Sequence, residues 1–164
     1  GIESSGFHSN GFSLIRKVIN EFDIDLEKKI DGEKIGNILL KPTHVYVNEI
    51  IALKKITSIN AISHITGGGF DENIPRMLGE NQKAIIKHDF DDWPSGKYFK
   101  WLMETTGIPK ENLVNTFNCG VGLIISVNKL NEEDVLGALN QSLFAKTIGK
   151  IEEKGPNESQ VSYV

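Results

Sequence analysis

The sequence predicts an α+β domain in which a mixed β-sheet is flanked by helices and followed by a C-terminal β-hairpin. Two observations support this prediction. Apolar runs typical of strands, of which VGLIISV (121–127) is the clearest, alternate with segments whose apolar residues recur at helical spacing. Two further strand-like segments, 145–151 and 161–164, flank the turn-rich stretch KGPNESQ. A chain of this length buries about 70% of its unfolded surface, so we expect one domain over residues 1–164.

The helices and strands follow from local signals at their ends. The predicted helices run from Asn10 with Ser9 or Asn10 as the cap, from Asp31 and Gly32 to Pro42, from Tyr46 to Lys55, from Gly69 through Ile74, Met77 and Leu78, over residues 97–106, and from Asn131 to Phe144. The predicted strands are AISHIT (61–66), AIIK (84–87) and VGLIISV (121–127), the first and last of them buried.

Charge and composition exclude several classes of partner. The net charge of −4, from 18 basic and 22 acidic residues, gives no electrostatic reason to expect nucleic acid or an anionic membrane. The longest apolar runs are far shorter than the roughly 20 residues of a membrane-spanning helix. The single cysteine, Cys119, excludes an internal disulfide and favours a reducing compartment. We therefore expect a cytoplasmic protein that binds neither nucleic acid nor membrane.

A run of three glycines before a helix is the strongest chemical signal. In the segment His64-Ile65-Thr66-Gly67-Gly68-Gly69, glycines without a Cβ let backbone N–H groups approach an anion, and the start of the helix adds a partial positive charge. Arg76, one to two turns later, could add a bidentate contact to such an anion. The alternative interpretation is a tight turn between strand and helix, with Arg76 in a surface ion pair.

A second polar segment, Ser4 to Gly11, lies just before the first helix. It combines hydroxyl groups, the His8 imidazole and an amide with two glycines. Hydroxyls and amides can position a phosphate or a ribose, and an imidazole can transfer protons near neutral pH. The alternative is that Ser9 or Asn10 only caps the helix and that His8 is exposed.

Metal and nucleophile interpretations are weaker, and we predict no metal site. The four histidines show no pair at ligand spacing. Cys119 is predicted to be a small buried residue rather than a nucleophile. An acidic run favours a solvated loop over a cation site, and the two tryptophans are predicted to lie in the core; these residues are Asp89, Asp91, Asp92, Trp93 and Trp101.

Taken together, the motifs resemble one family. The segments SSGFHSNGFSLIRKV, LLKPTHVYV, HITGGGFDENIPRML and TFNCGVGLII occur in this order over nearly the whole chain. In order and spacing they resemble the C-terminal half of aminoimidazole ribonucleotide synthetases, the ATP-dependent ring-closing enzymes of purine synthesis. Related ATP-using families, including selenophosphate synthetases, share the architecture but not this whole set of motifs.

The resemblance implies a homodimeric enzyme whose subunits add an N-terminal ATP-binding domain to the domain present here. In this family ATP and Mg²⁺ activate the formyl oxygen of formylglycinamidine ribonucleotide as a phosphate ester. An amidine nitrogen then attacks the formyl carbon, which closes the imidazole ring and releases ADP and phosphate. On this resemblance the N-terminal domain would hold most of the contacts to ATP and metal, and we expect this chain alone to bind neither and to be inactive.

The resemblance also selects the expected site residues, which would form one wall of a cleft with the N-terminal domain. His8 and His64 are the expected catalytic residues, for proton transfer or for stabilising an oxyanion. The positions expected to bind substrate or phosphate are Ser9, Asn10, Gly11, Thr66, Gly67, Gly68, Gly69, Asn73 and Arg76.

The chain departs from the family pattern at several positions. Asn112, Val114 and Asn115 replace a glutamate, an aromatic residue and an arginine, while His44 and Asn48 stand where basic residues are usual. These changes lower the positive charge near possible phosphate contacts, so a role for residues 112–115 is in doubt. Two alternatives remain open: another ATP-dependent enzyme of the same superfamily, and a catalytically inert module that supports dimerisation.

Overall fold

A computed structural model describes all 164 residues. Short strands and helices alternate along the chain. In chain order the strands are β1 (Ile2–Glu3), β2 (Lys29–Ile30), β3 (Glu33–Lys34), β4 (Ile59–His64), β5 (Gln82–Ile86), β6 (Val121–Val127), β7 (Gly149–Glu153) and β8 (Val161–Tyr163). The α-helices are α1 (Phe12–Glu21), α2 (Ile35–Leu40), α3 (Val47–Leu53), α4 (Gly69–Asn73), α5 (Gly96–Thr106), α6 (Lys110–Val114) and α7 (Glu132–Leu139). Short 3₁₀ turns cover Ile74–Met77, Phe90–Asp92 and Lys129–Asn131.

The strands form three small sheets. In the first, β6 lies between β1 and β4 and is antiparallel to both, with Ile62 opposite Ile125 and His64 opposite Leu123. In the second, β2 and β3 form a hairpin. In the third, β5 lies between β7, which is antiparallel to it, and β8, which is parallel. The predicted α+β class is therefore confirmed.

The two predicted C-terminal strands are present, but a third strand separates them. β7 and β8 each pair with β5 and not with each other. The connection of residues 154–160 therefore crosses two strand spacings of about 4.8 Å each, which seven residues span easily. Because β5 belongs to a distant part of the chain, local turn signals could not show that it lies between them.

Two helix starts differ from the prediction. The N-cap of α1 is Gly11, which makes no side-chain cap hydrogen bond, so neither Ser9 nor Asn10 caps this helix. Gly11 packs so closely on Phe117 that a Cβ would lie 2.0 Å from a ring carbon. Asp31 and Gly32 do not introduce α2. Their φ angles of 49° and 84° make the tight turn between β2 and β3, as expected of an Asp-Gly hairpin turn.

Two predicted segments differ in burial or length. β4 is an edge strand rather than a buried one, because it pairs only with β6 and leaves Ile62 and His64 exposed. The last helix ends at Leu139 instead of Phe144. Asn140 ends it: its side-chain amide donates to Leu136 O and Ala145 O, and its Oδ1 accepts from Ala145 N.

Three apolar clusters hold the elements together. The first packs α1, α5 and α6 around Phe7, Phe99 and Phe117. The second fills the space between the first and third sheets, and the third packs α3 and α7 on the first sheet. Trp93 is buried in the second cluster and Trp101 packs on the first, as predicted. None of the helices has the length and apolar content needed to cross a bilayer.

Candidate functional site

The loop before α1 is pinned to the start of β6 by a buried polar network. Ser4 Oγ donates to Asn118 Oδ1 at 2.8 Å, and Asn118 Nδ2 donates to Gly6 O at 2.9 Å. The same Oδ1 accepts from Gly120 N, and Ser4 Oγ lies 3.0 Å from Ser95 Oγ. Asn118 is fully buried, so each of these bonds is made away from water. The network fixes the backbone that carries His8.

His8 is buried with an unusual backbone conformation. It has a φ of 55°, and only 4% of its surface is exposed. The Ser5 N–H donates to His8 Nε2 at 3.2 Å, whereas Nδ1 has no hydrogen-bond partner. The alternative interpretation, in which His8 is exposed, is therefore wrong. A left-handed conformation outside glycine carries strain, and it aims the ring into the protein.

The fold gathers His8 with three other ring side chains. The ring centroid of His8 lies 6.2 Å from that of His64 and 6.4 Å from that of Tyr46. Tyr46 lies 5.9 Å from His64 and 4.7 Å from His44. We call His8, His44, Tyr46 and His64 the imidazole cluster. The predicted HSNG and HITGGG motifs, far apart in the sequence, meet in it.

Gly122 makes room for the imidazole cluster against β6. A Cβ at this position would lie 1.8 Å from the Tyr46 hydroxyl oxygen and 2.8 Å from His8 Cε1. Tyr46 donates its hydroxyl hydrogen to Glu3 O at 2.7 Å, which holds the ring against the strand. The sequence interpretation missed Gly122. A glycine inside an apolar strand is the signal that could have found it, because it often marks a close approach.

Burial keeps the His8 and His64 rings neutral near pH 7. Burial, which is the largest cause, and the nearby His64 and His44 together lower the pKa of His8 from 6.5 to about 4. Partial burial also lowers the pKa of His64. Burial raises the pKa of Tyr46, with Glu3 and Glu49 adding to the effect. Neutral imidazoles can each offer one hydrogen-bond donor and one acceptor.

A contact between a histidine and an acidic side chain at the edge of the cluster was not predicted. His44 Nε2 lies 3.7 Å from Glu49 Oε1, and the Glu49 side chain is only 12% exposed. Glu49 Oε2 has no hydrogen-bond partner. Acidic residues are seldom buried without a partner, so Glu49 is notable here. Nothing in the sequence pattern singled it out from other acidic residues on helices.

The glycine turn, residues 66–69, is held by one side chain. Asn73 Nδ2 donates to the backbone oxygens of Thr66, Gly67 and Gly69 at 3.3, 3.2 and 2.7 Å. Asn73 Oδ1 accepts from Thr66 Oγ1 at 3.1 Å. Asn73 and Thr66 were predicted to bind substrate or phosphate. Here their side chains bind the turn itself, and Asn73 is 2% exposed.

The three glycines of the turn have different surroundings. Gly69 has a φ of 56°, and a Cβ there would lie 1.8 Å from Val114 O. The turn therefore packs on the end of α6, next to residues 112–115, where the sequence departs from the family pattern. Gly68 is the N-cap of α4, and a Cβ there would meet the Glu72 carboxylate. Gly67 is exposed with no atom within 4 Å of a built Cβ, so a ligand could approach its backbone.

The remaining predicted positions are more scattered. Ser9 is exposed, with its Oγ 3.4 Å from Thr43 Oγ1, and Asn10 is half-buried. Arg76 is exposed on the 3₁₀ turn after α4. It has no carboxylate within salt-bridge distance, so the surface ion pair of the alternative interpretation does not form.

The other histidine and the cysteine are core residues. Burial lowers the pKa of His88 to about 4, and His88 Nε2 lies 2.8 Å from Cys119 O. Burial raises the pKa of the Cys119 thiol. Cys119 is a small buried residue of the core, as predicted, and its thiol is not activated as a nucleophile. Asp91 and Asp92 pair with Lys100 and Lys146. No group of three or more histidine, cysteine, aspartate or glutamate residues could hold a metal ion.

The site that this geometry defines is a wall with two parts, the imidazole cluster and the glycine turn, joined at His64. It offers neutral ring nitrogens and open backbone beside Gly67, which suit an oxygen-rich ligand. A comparison with protein families matches residues 1–162 to the family described as AIR synthase related protein, C-terminal domain.

Proposed function

Since the chain belongs to the family of AIR synthase related protein C-terminal domains, we propose that it is the C-terminal half of an ATP-dependent cyclo-ligase. The reaction would convert formylglycinamidine ribonucleotide to aminoimidazole ribonucleotide. The superfamily consists of ATP-using enzymes, and the specific reaction is the proposal made here.

One observation supports this proposal above the others: His8 and His64 come together. These histidines belong to the two motifs that most resemble the cyclo-ligases, and their rings lie 6.2 Å apart. A structural histidine in each motif would not require them to meet. Neutral imidazoles at one wall suit a reaction in which an amidine nitrogen loses protons while an oxygen gains negative charge.

The proposed roles follow from exposure. His64 is exposed and can exchange protons with a bound substrate, whereas His8 is buried behind it. Backbone at Gly67 and the side chains of Ser9 and Arg76 are open to phosphate oxygens. Asn73 and Thr66 would act by shaping the turn, and Gly69 by packing it on α6.

The residues of this chain do not fit Mg²⁺. No cluster of acidic or histidine ligands exists that could hold a cation. Asp91 and Asp92 are engaged by lysines. We therefore propose that ATP and Mg²⁺ bind mainly to an N-terminal domain, and we derive no step of the reaction through the metal.

An N-terminal ATP-binding domain, a homodimer and a cytoplasmic location complete the proposal. Exposed apolar side chains lie on α3 and β4, next to the imidazole cluster. Val47 is 57% exposed, Ile51 52% and Ile62 40%. Apolar surface beside a site supports a partner domain that covers it. The substrate would then lie between the two domains.

The test is a coupled assay on the full-length protein. With ATP, Mg²⁺ and formylglycinamidine ribonucleotide, we expect equal amounts of ADP and aminoimidazole ribonucleotide. The isolated 164-residue chain should give neither product. ADP formed only with a different substrate would favour another enzyme of the superfamily, and a full-length protein that does not use ATP would favour an inert dimer-supporting module.

A further inference from the structure

The short strand β1 already lies between the first and third sheets. On one side Ile2 pairs with Leu123 of β6. On the other side Ile2 forms an antiparallel bridge with Ala145, in the segment that leads into β7. Gly1 continues this second pairing, because its amino nitrogen donates to Lys146 O at 2.9 Å and its oxygen accepts from Lys146 N at 3.1 Å. At this end, the space between β6 and the β7 side is therefore one strand wide.

Beyond Gly1 the same space is an open groove. It has a volume of about 1090 Å³, and its sides include residues 124–127 of β6 and residues 147–152. The backbone of residues 124–127 bonds only to β4, since the pairing with β1 reaches only to Leu123. β7 likewise pairs only with β5. Each of these strands therefore has a free edge, and free edges readily pair with another strand.

The side chains on the two faces of the groove are apolar. Side chains of α7 lie on one face, in the third apolar cluster, which also contains Ile2. Ile74, Met77 and Ile148 lie on the other face, in the second cluster, and a Cβ on Gly1 would lie 3.2 Å from Ile148. Successive residues of a strand point to opposite faces. A strand that continues β1 would bury side chains in both clusters, so it should be apolar throughout.

The amino group of Gly1 gives an independent reason for a chain that continues into the groove. Burial lowers its pKa from 8.0 to about 5, and the charge of Lys146 adds to the effect. A charged ammonium group is disfavoured at this position. The neutral N–H of a peptide bond would donate to Lys146 O without that cost.

We propose that the residues immediately before Gly1 extend β1 into the groove and join the first and third sheets into one. The joined sheet has the order β4-β6-β1-β7-β5-β8. Because Ile2 lies opposite Leu123 in an antiparallel pair, Gly1 falls opposite Ile124, and the three preceding residues fall opposite residues 125–127. The occupant is this chain itself, since Gly1 lines the groove and a continuing strand must enter it there. The inference concerns assembly rather than the reaction, and it rests on the proposed function only for a preceding domain.

The extension would connect the preceding domain to the wall of the site. β1 leads directly to Ser4, whose hydroxyl donates to the buried Asn118, and then to His8. A strand held between two sheets cannot shift without breaking hydrogen bonds on both sides. The position of the imidazole cluster is thereby fixed relative to the residues that arrive from the N-terminal domain.

The sequence of the full-length protein gives the first test. We expect the three residues before Gly1 to be apolar, with β-branched residues favoured. A proline or a charged residue among them would contradict the inference. So would a natural protein in which Gly1 directly follows the initiator methionine.

Hydrogen exchange in the full-length protein gives the second test. We expect slow amide exchange in the three residues before Gly1 and along both groove edges, residues 125–127 and 149–152. Replacing the three residues with Gly-Ser-Gly should speed exchange along both edges by about 100-fold or more and lower Tm by about 5–10 °C. Replacing them with Val-Ile-Val is the matched control and should preserve both. Exchange in β8, which pairs with the far side of β5, should stay unchanged in both variants if the domain remains folded.

The native protein decides the test even where a variant fails to fold. Fast exchange in the residues before Gly1 would overturn the inference, and so would equal protection of the groove edges in the native and Gly-Ser-Gly proteins. Protection of the edges that rises with protein concentration would overturn it by assigning the groove to a second copy. None of these measurements uses turnover, so a lack of cyclo-ligase activity would overturn the proposed function alone.

Discussion

The imidazole cluster and the glycine turn lie next to each other, yet they use their polar groups in opposite ways. At the turn, the Asn73 side chain makes four hydrogen bonds, and all of them go to residues 66–69. In the imidazole cluster, buried polar atoms of His8, His44 and Glu49 have no partner. Both segments looked like binding motifs in the sequence. Only one of them leaves side-chain groups free.

The difference separates the part of the site whose side chains hold the backbone in shape from the part whose side chains are free to bind. A segment whose buried polar groups are all paired is stable by itself and needs no ligand. A segment with unpaired buried groups has given up stability, which is typical of functional sites. We therefore expect substitutions in the turn to act mainly on stability. Those in the cluster should act on chemistry.

The largest expected effect is that of Gly69→Ala, which tests the structural character of the turn. The new Cβ would lie 1.8 Å from Val114 O, on a backbone with a φ of 56°. We expect a loss of about 2–4 kcal/mol in the free energy of unfolding, measured in urea. Gly67→Ala is the matched control, because its Cβ meets nothing within 4 Å. Equal effects at the two positions would show that packing on α6 does not define the turn.

Gly122→Ala brings the comparison to the imidazole cluster. Its Cβ would displace the Tyr46 hydroxyl and the His8 ring, and we expect a loss of about 1–3 kcal/mol in stability together with the loss of activity. Gly137→Ala is the control on α7, where a Cβ has open space. It should stabilise the protein by roughly 0.5–1 kcal/mol. A fully active Gly122→Ala protein would show that the imidazole cluster is not part of the active site.

The pH dependence of stability tests the buried, neutral state of His8. Its pKa is about 4 in the folded chain and 6.5 in the unfolded chain, so the unfolded chain binds a proton first as the pH falls. The contribution of neutral His8 to the free energy of unfolding is fully present above pH 6.5 and is lost toward pH 4. His8→Asn should therefore reduce the slope of unfolding free energy in this window by up to about 1.4 kcal/mol per pH unit. An unchanged slope would mean that His8 titrates normally.

Much of the fold was predictable because the signals for these elements lie within their own sequence segments. The helix of Phe12–Glu21 and the strand of Val121–Val127 show their period directly in the sequence. Asn140 could not be recognised as the end of α7, because its bonds to Ala145 depend on the following turn. The position of β5 between β7 and β8 depends on pairing between distant segments.

The candidate site was predicted in its motifs but not in its geometry. His8 and His64 were selected as a pair by resemblance, and the fold brings them together. Tyr46, Gly122 and Glu49 were missed, since their importance arises from contacts across three separate elements. No local pattern can show that all hydrogen bonds of the Asn73 side chain go to the glycine turn.

The most direct test compares His64→Asn with Asn73→Ala in the full-length protein, by measuring Tm and kinetics side by side. His64 is exposed, so its substitution should change stability by less than about 0.5 kcal/mol and should lower kcat while KM stays nearly constant. Asn73→Ala should lower Tm, because three backbone oxygens lose a buried donor. A His64→Asn protein with native kcat, or one that loses Tm in proportion to its activity, would contradict the assignment of chemistry to the imidazole cluster.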